Sequence, residues 1–208
     1  MILRASVRNF LLFIFSVLIV GCSPDLSVVK DGDIVFQNIS SVQSKTLQTI
    51  THSKFNNCGI VLSDSTGNLF VYEALDSVTQ TPLTNWVKKG EDKHFLILRL
   101  KTSTNILSKG ILSKMKKIAS MQVGKHYDEQ FSWDDSKMYS SELAYKIYFY
   151  TTGLQLAETK TLKTFDLSND TLKIELQELY HGKIPLTELC ISPQQIMESP
   201  MLEKVLED

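Results

Sequence analysis

Trp133-Asp134-Asp135-Ser136-Lys137-Met138-Tyr139-Ser140-Ser141-Glu142-Leu143-Ala144-Tyr145-Lys146-Ile147-Tyr148 is the stretch on which the fold turns. Its first part is polar and reads as a loop. From Leu143 the apolar residues fall at 143, 144, 147 and 148, which puts them on one face of a helix. Ser140 and Ser141 stand where a helix takes a hydroxyl cap, and Glu142 complements the positive end of the helix dipole. A small nucleophile at such an N-terminus is held rigidly, with backbone N–H groups aimed at any anion that forms beside it. The same two serines also serve as plain caps without chemistry.

Working upstream, Asn105 to Met121 carries Leu107, Ile111, Leu112, Met115, Ile118 and Ala119 as an apolar stripe, with Lys109, Lys114, Lys116 and Lys117 mostly outside it. That pattern predicts an amphipathic helix stopped by Gly124. Strand signals precede it. Asp31-Gly32-Asp33 is a turn before Ile34-Val35-Phe36-Gln37, and His94 to Leu100 is a further apolar run. Cys58 to Leu62 and Leu69 to Ala74 flank the turn-rich Asp64-Ser65-Thr66-Gly67-Asn68, so an antiparallel hairpin is expected. Alternation then puts Asn57, Gly59 and Val61 on one face of their strand and Leu69, Val71 and Glu73 on one face of theirs, with Asn57 and Glu73 pointing to the same side. Ser41 to Ile50 reads as a short helix. Asn169 to Tyr180 reads as another, with Leu172, Leu176 and Leu179 on one side.

The beginning of the chain stands apart. Arg4 and Arg8 precede an apolar run from Phe10 to Val20, short for a membrane span and right for a signal-peptide core. The run closes on Ile19-Val20-Gly21-Cys22, a bacterial lipobox, so residues 1–21 are expected to be removed and Cys22 to carry lipid. Residues 22–30 form a lipidated tether and 31–208 one domain in this reading. Ser23, following Cys22, favours an outer membrane with the chain facing the periplasm in bacteria that sort by that residue. The expected location is therefore the bacterial cell envelope, with the membrane as partner through the acyl chains.

The remaining ~190 residues suffice for one domain with a core. The formal net charge is −1 and basic residues are dispersed, which argues against a nucleic-acid partner. Cys58 and Cys190 are read as free thiols, Cys58 within an apolar run where a buried thiol is ordinary packing. No cofactor and no metal are expected.

Taken together, Tyr139-Ser140-Ser141-Glu142, Thr51-His52-Ser53-Lys54-Phe55-Asn56-Asn57-Cys58-Gly59-Ile60-Val61, Gly124-Lys125-His126-Tyr127-Asp128 and Tyr72-Glu73-Ala74 resemble the permuted papain-like, NlpC-related and YiiX-like lipoprotein family over nearly the whole mature chain. The resemblance implies an α+β fold, circularly permuted relative to papain, with a small antiparallel sheet or half-barrel packed with helices. It implies a nucleophile at position 140, a histidine base at position 57 and an orienting polar group at Glu73, with Tyr127, Ser141 and Trp133 lining the cleft. The family's nucleophile is a cysteine, and here Ser140 stands in its place. The family's base is a histidine, and here Asn57 does. Trp86 is read as packing.

A serine without a base keeps its proton at neutral pH, and a carboxamide accepts none. The expectation is a catalytically impaired member that binds acyl, amino-acid, peptide or cell-wall-derived ligands. The alternative is an active amide hydrolase in which His52 or His126 substitutes as base for Ser140. A third reading is a sensor that retains a free acyl chain or amino acid.

Overall fold

The computed structural model describes residues 24–40, 45, 48–49, 51–165, 167 and 170–208. The expected lipidation site Cys22 and most of the expected helix at 41–50 lie outside the described residues. A short 3-10 turn, Leu26–Val28, leads into β1 (Ile34–Gln37), β2 (Asn57–Ser63), β3 (Leu69–Ala74) and β4 (Val78–Pro82). Next come α1 (Leu83–Lys89), β5 (Phe95–Leu100), α2 (Ser103–Ile106), α3 (Lys109–Gln122) and α4 (Ser140–Thr152). The chain closes with β6 (Lys160–Thr161), α5 (Asp170–Leu179), β7 (Leu189–Cys190), α6 (Pro193–Met197) and β8 (Leu202–Glu207).

Six strands form one sheet in the order β4-β3-β2-β1-β5-β8, and β6 pairs with β7 apart from it. Every pairing is antiparallel. The hairpin of β2 and β3 sets Ile60 opposite Tyr72 and Val61 opposite Val71. The fold is α+β, as the sequence predicts.

Both faces of the sheet are covered, which explains why β2 is buried along nearly its whole length. On one face Ile34, Phe36, Cys58, Ile60, Leu62, Tyr72 and Ala74 pack with Met115 and Ala119 of α3 and with Leu143, Ala144 and Ile147 of α4. On the other face Val35, Val61, Val71, Phe95 and Ile97 pack with Leu83, Trp86 and Val87 of α1, and Val29 from the lead-in joins them. Strand parity thus decides which helix a residue meets. At Gly59 a Cβ would stand 2.5 Å from Val71 Cγ1 and 2.7 Å from the Tyr72 carbonyl oxygen, so only glycine lets β2 close on β3.

The structure departs from the sequence reading in its details. The expected helix from Asn105 to Met121 is broken, because the Ser108 hydroxyl accepts from the Ile111 N–H at 3.3 Å and starts α3 afresh. Strands β4 and β8 and helix α1 were not foreseen; β8 lies against β5, with Leu100 opposite Leu202. The two serines expected as caps of α4 do not cap it. The cap is Tyr139, in extended backbone, with its N–H 3.4 Å from Glu142 Oε2.

Helix α4 spans the length of β2. Its start lies at Cys58, and near its end the Tyr148 hydroxyl donates to the Gly32 carbonyl, beside the turn that opens β1. At that same end Arg99 grips Asp33 with two hydrogen bonds of 2.7 Å and donates a third, also 2.7 Å, to the Val28 carbonyl. Both rims of the sheet are blunted. The free side of β4 is covered where Val78 exchanges hydrogen bonds with Gly124 and Lys125 and Ser77 bridges to His126. The strand ends at Pro82, which has no N–H to offer. The outer strand β8 presents Glu203, Lys204 and Glu207. Among the described residues no helix is long and apolar enough to cross a membrane.

Candidate functional site

The first turn of α4 carries Ser140, Ser141 and Glu142, all buried. The hydroxyl of Ser140 lies beside the thiol of Cys58. Burial drives the Cys58 thiol far above its ordinary pKa, the neighbouring Ser140 hydroxyl works against that rise, and the charge on Glu73 adds to it. The sulfur therefore carries its proton at any physiological pH. Ser141 is committed elsewhere, donating to the Ile191 carbonyl at 2.7 Å. The Tyr139 hydroxyl accepts from the Ile191 N–H at 3.0 Å, so the segment after β7 is bound to the start of α4 at two points.

Glu142 reaches Lys146 one turn on, Oε1 to Nζ at 2.6 Å, and Lys146 also meets Asp135 at 2.9 Å. Burial lifts Glu142 to about 8 against the pull of Lys146. Burial works to lower Lys146, but its bonds to Glu142 and Asp135 outweigh that and hold it above the ordinary lysine value. The ammonium also lies 4.9 Å from the centre of the Trp133 ring, and that ring stands edge-on to Tyr145.

Asn57 and Glu73 do share a face, as alternation requires. Asn57 Nδ2 donates to Glu73 Oε2 at 2.9 Å. Three further donors converge on the same carboxylate: Trp86 Nε1 at 3.0 Å, Thr81 Oγ1 at 2.8 Å and Lys89 Nζ at 3.1 Å. Glu73 and Asn57 are fully buried. This face is the one covered by α1, where Asn57 follows the parity of Val61; Cys58, one residue on, takes the opposite parity and faces α4. The structure thus joins Asn57 to Glu73 on one face of the sheet and sets Ser140 beside Cys58 on the other.

The remaining expected site residues are spread around α4. Tyr127 is buried in the main core and forms a bridge with Met138. Trp133 is half-buried, its backbone N–H donating to Glu188 Oε1 at 2.7 Å. His52 and His126 are exposed, and His52 has a positive φ of 50°. Cys58 and Cys190 are free and buried. Two parts of the site escaped the sequence reading. The Cys58 thiol was read as plain packing, although the alternation that sends Asn57 to one face sends Cys58 to the other. Trp86, read as packing, also donates to Glu73; nothing in its local sequence signals that bond, which depends on α1 lying over β3. Among the described residues no group of three or more His, Cys, Asp or Glu side chains could hold a metal ion.

Residues 28–206 match the family model described as permuted papain-like amidase enzyme, YaeF/YiiX, C92 family. The chain belongs to the permuted papain-like amidase family. Its relative in Escherichia coli (strain K12), the uncharacterized protein YiiX, is 34% identical over 179 residues, covering 86% of this chain and 87% of the relative. A crystal structure described as metalloprotein yiiX from Escherichia coli O157:H7 superposes with a TM-score of 0.79 at 36% identity. That match covers 86% of this chain and 97% of the other. Membership in the permuted papain-like amidases accounts for the layout, with the hairpin of β2 and β3 preceding the helix that carries position 140.

Proposed function

We propose that this chain is an envelope lipoprotein, anchored through Cys22, that keeps the permuted papain-like amidase scaffold without its cysteine-type reaction and binds an acyl, amino-acid or cell-wall-derived ligand. One observation carries the reading: the buried hydroxyl at the family's nucleophile position lies beside the buried Cys58 thiol, while the family's base position holds Asn57, bonded to Glu73. Asn57, at the family's base position, has neither an acidic nor a basic function, and its amide N–H is given to Glu73. A serine alkoxide is inaccessible at neutral pH without a base within hydrogen-bond reach. Exposure of His52 and His126 on the surface further supports the reading.

The test is turnover by the full-length protein on a panel of N-acyl amino acids and peptide amides, beside a Ser140→Ala variant. Absence of turnover, with a small molecule retained in native mass spectrometry, is the expected result. Turnover that disappears in Ser140→Ala overturns the proposal, and His52→Ala and His126→Ala would then identify the base. The anchor is tested separately, by the intact mass of the protein purified from membranes and by its release in Cys22→Ser.

A further inference from the structure

The lead-in and the end of α4 lie at one end of the molecule. The Tyr148 hydroxyl is bonded to the Gly32 carbonyl, Arg99 ties Asp33 to the Val28 carbonyl, and Leu107 packs against Gly32. The described chain begins at Pro24, two residues after Cys22. Three of the eight large apolar side chains exposed among the described residues belong to these two segments, the lead-in and the end of α4. Val28 is 40% exposed, and in the last turns of α4 Phe149 is 37% and Tyr150 51% exposed. Phe149 stacks on Tyr145 at 6.0 Å, which holds its ring in place. Lys30, Lys101 and Lys109 are exposed, the Lys101 ammonium resting on the Pro200 carbonyl at 2.7 Å. Of the acids at the same end, Asp31 is paired with Lys116 at 3.0 Å, Asp33 with Arg99 at 2.7 Å and Asp135, which Tyr150 meets at 3.4 Å, with Lys146 at 2.9 Å, while Glu203 stands exposed opposite Arg99. Asp25 caps the first turn and Asp64 is engaged in its own loop.

We infer that this end of the fold is a contact surface for anionic phospholipid headgroups, with Lys30, Lys101 and Lys109 meeting phosphates and Val28, Phe149 and Tyr150 meeting the interfacial region. The inference rests on the proposed acylation of Cys22, because a tether of a few residues delivers this end, and no other, to the bilayer. Aromatic rings beside lysines are the side chains that such an interface accepts. Three lysines and three apolar groups would hold weakly alone. Tethering raises their effective concentration at the surface, so a weak contact becomes the resting orientation. The surface therefore sets which way the start of α4 points from the membrane.

The experiment uses the full acylated protein reconstituted into vesicles of phosphatidylcholine alone and of phosphatidylcholine with phosphatidylglycerol, followed by amide hydrogen exchange. Peptides covering 26–32, 101–109 and 147–152 are expected to exchange at least about fivefold more slowly on the anionic vesicles, while those at 120–124 stay unchanged. The variant K30E/K101E/K109E, still held by its lipid, is expected to lose that difference. Equal exchange on both vesicles with Cys22 acylated overturns this inference and leaves the anchor standing. Protein without acyl mass that keeps the anionic protection retains the surface and removes the anchor; without either, both fail.

Discussion

Replacement of Glu73 by alanine tests whether the buried carboxylate holds the α1 face together. Glu73 is fully buried and receives four donors. Thr81 is half-buried and the Lys89 side chain is 43% exposed, so both can turn to water once the carboxylate is gone. The Asn57 amide and the Trp86 indole, both fully buried, cannot. Each buried donor left unsatisfied costs about 1–3 kcal/mol, so Glu73→Ala is expected to lose about 4 kcal/mol, with Thr81→Val losing only about 1 kcal/mol. For a domain of this size that corresponds to a fall in Tm of roughly 8–16 °C. Urea unfolding with unchanged m-value is the assay, because it separates lost stability from a change in compactness. A loss under about 1 kcal/mol for Glu73→Ala would show that the indole and amide find other partners, and the proposed cohesion of this face would be refuted.

Three further outcomes follow from the same geometry. The Cys58 and Cys190 thiols, raised by burial, Cys190 up to about 12, are expected to resist iodoacetamide at pH 8 in the native protein and to react after denaturation; fast native labelling of Cys58 would contradict its placement under Ser140. Glu142 has a folded pKa of about 8 against an ordinary 4.5, so the folded chain keeps a proton that the unfolded chain releases. Its contribution is complete below pH 4.5 and is lost as pH rises through about 8, and Glu142→Gln should flatten the dependence of Tm on pH across that window, an unchanged slope counting against it. Arg99→Met strands the buried Asp33 carboxylate and is expected to cost about 3–5 kcal/mol in urea unfolding, with Arg99→Lys intermediate because the two-pronged grip is lost while the charge stays.

Much of the architecture was readable because local pattern and tertiary placement agree. Leu69 to Ala74 was expected as a strand and is one, and the Asp64–Asn68 turn closes the hairpin as its composition requires. The 143, 144, 147, 148 spacing placed α4 correctly, since those residues meet the sheet and its neighbours. Where the reading failed, a non-local partner decided. Leu202–Glu207 alternates poorly and becomes a strand only because β5 offers a bare edge. Ser140 and Ser141 read as caps, yet the Ser141 hydroxyl is claimed by the Ile191 carbonyl and the Ser140 hydroxyl lies beside Cys58, both far away in sequence. The pairing of Asn57 with Glu73 was legible from period two, while the arrival of Trp86 and Lys89 on the same carboxylate depends on how α1 lies over the sheet. No periodicity reports that.

The covered rims of the sheet bear on how many copies can share a small area. A molecule crowded against its neighbours on a two-dimensional surface meets them far more often than one in bulk solution, and an open β-edge would be zipped into the next copy. Here one outer strand is closed off by residues 124–126 and a proline, and the other advertises alternating charge. On the membrane anchor proposed above, dense lateral packing then proceeds without the chains fusing into a continuous ribbon.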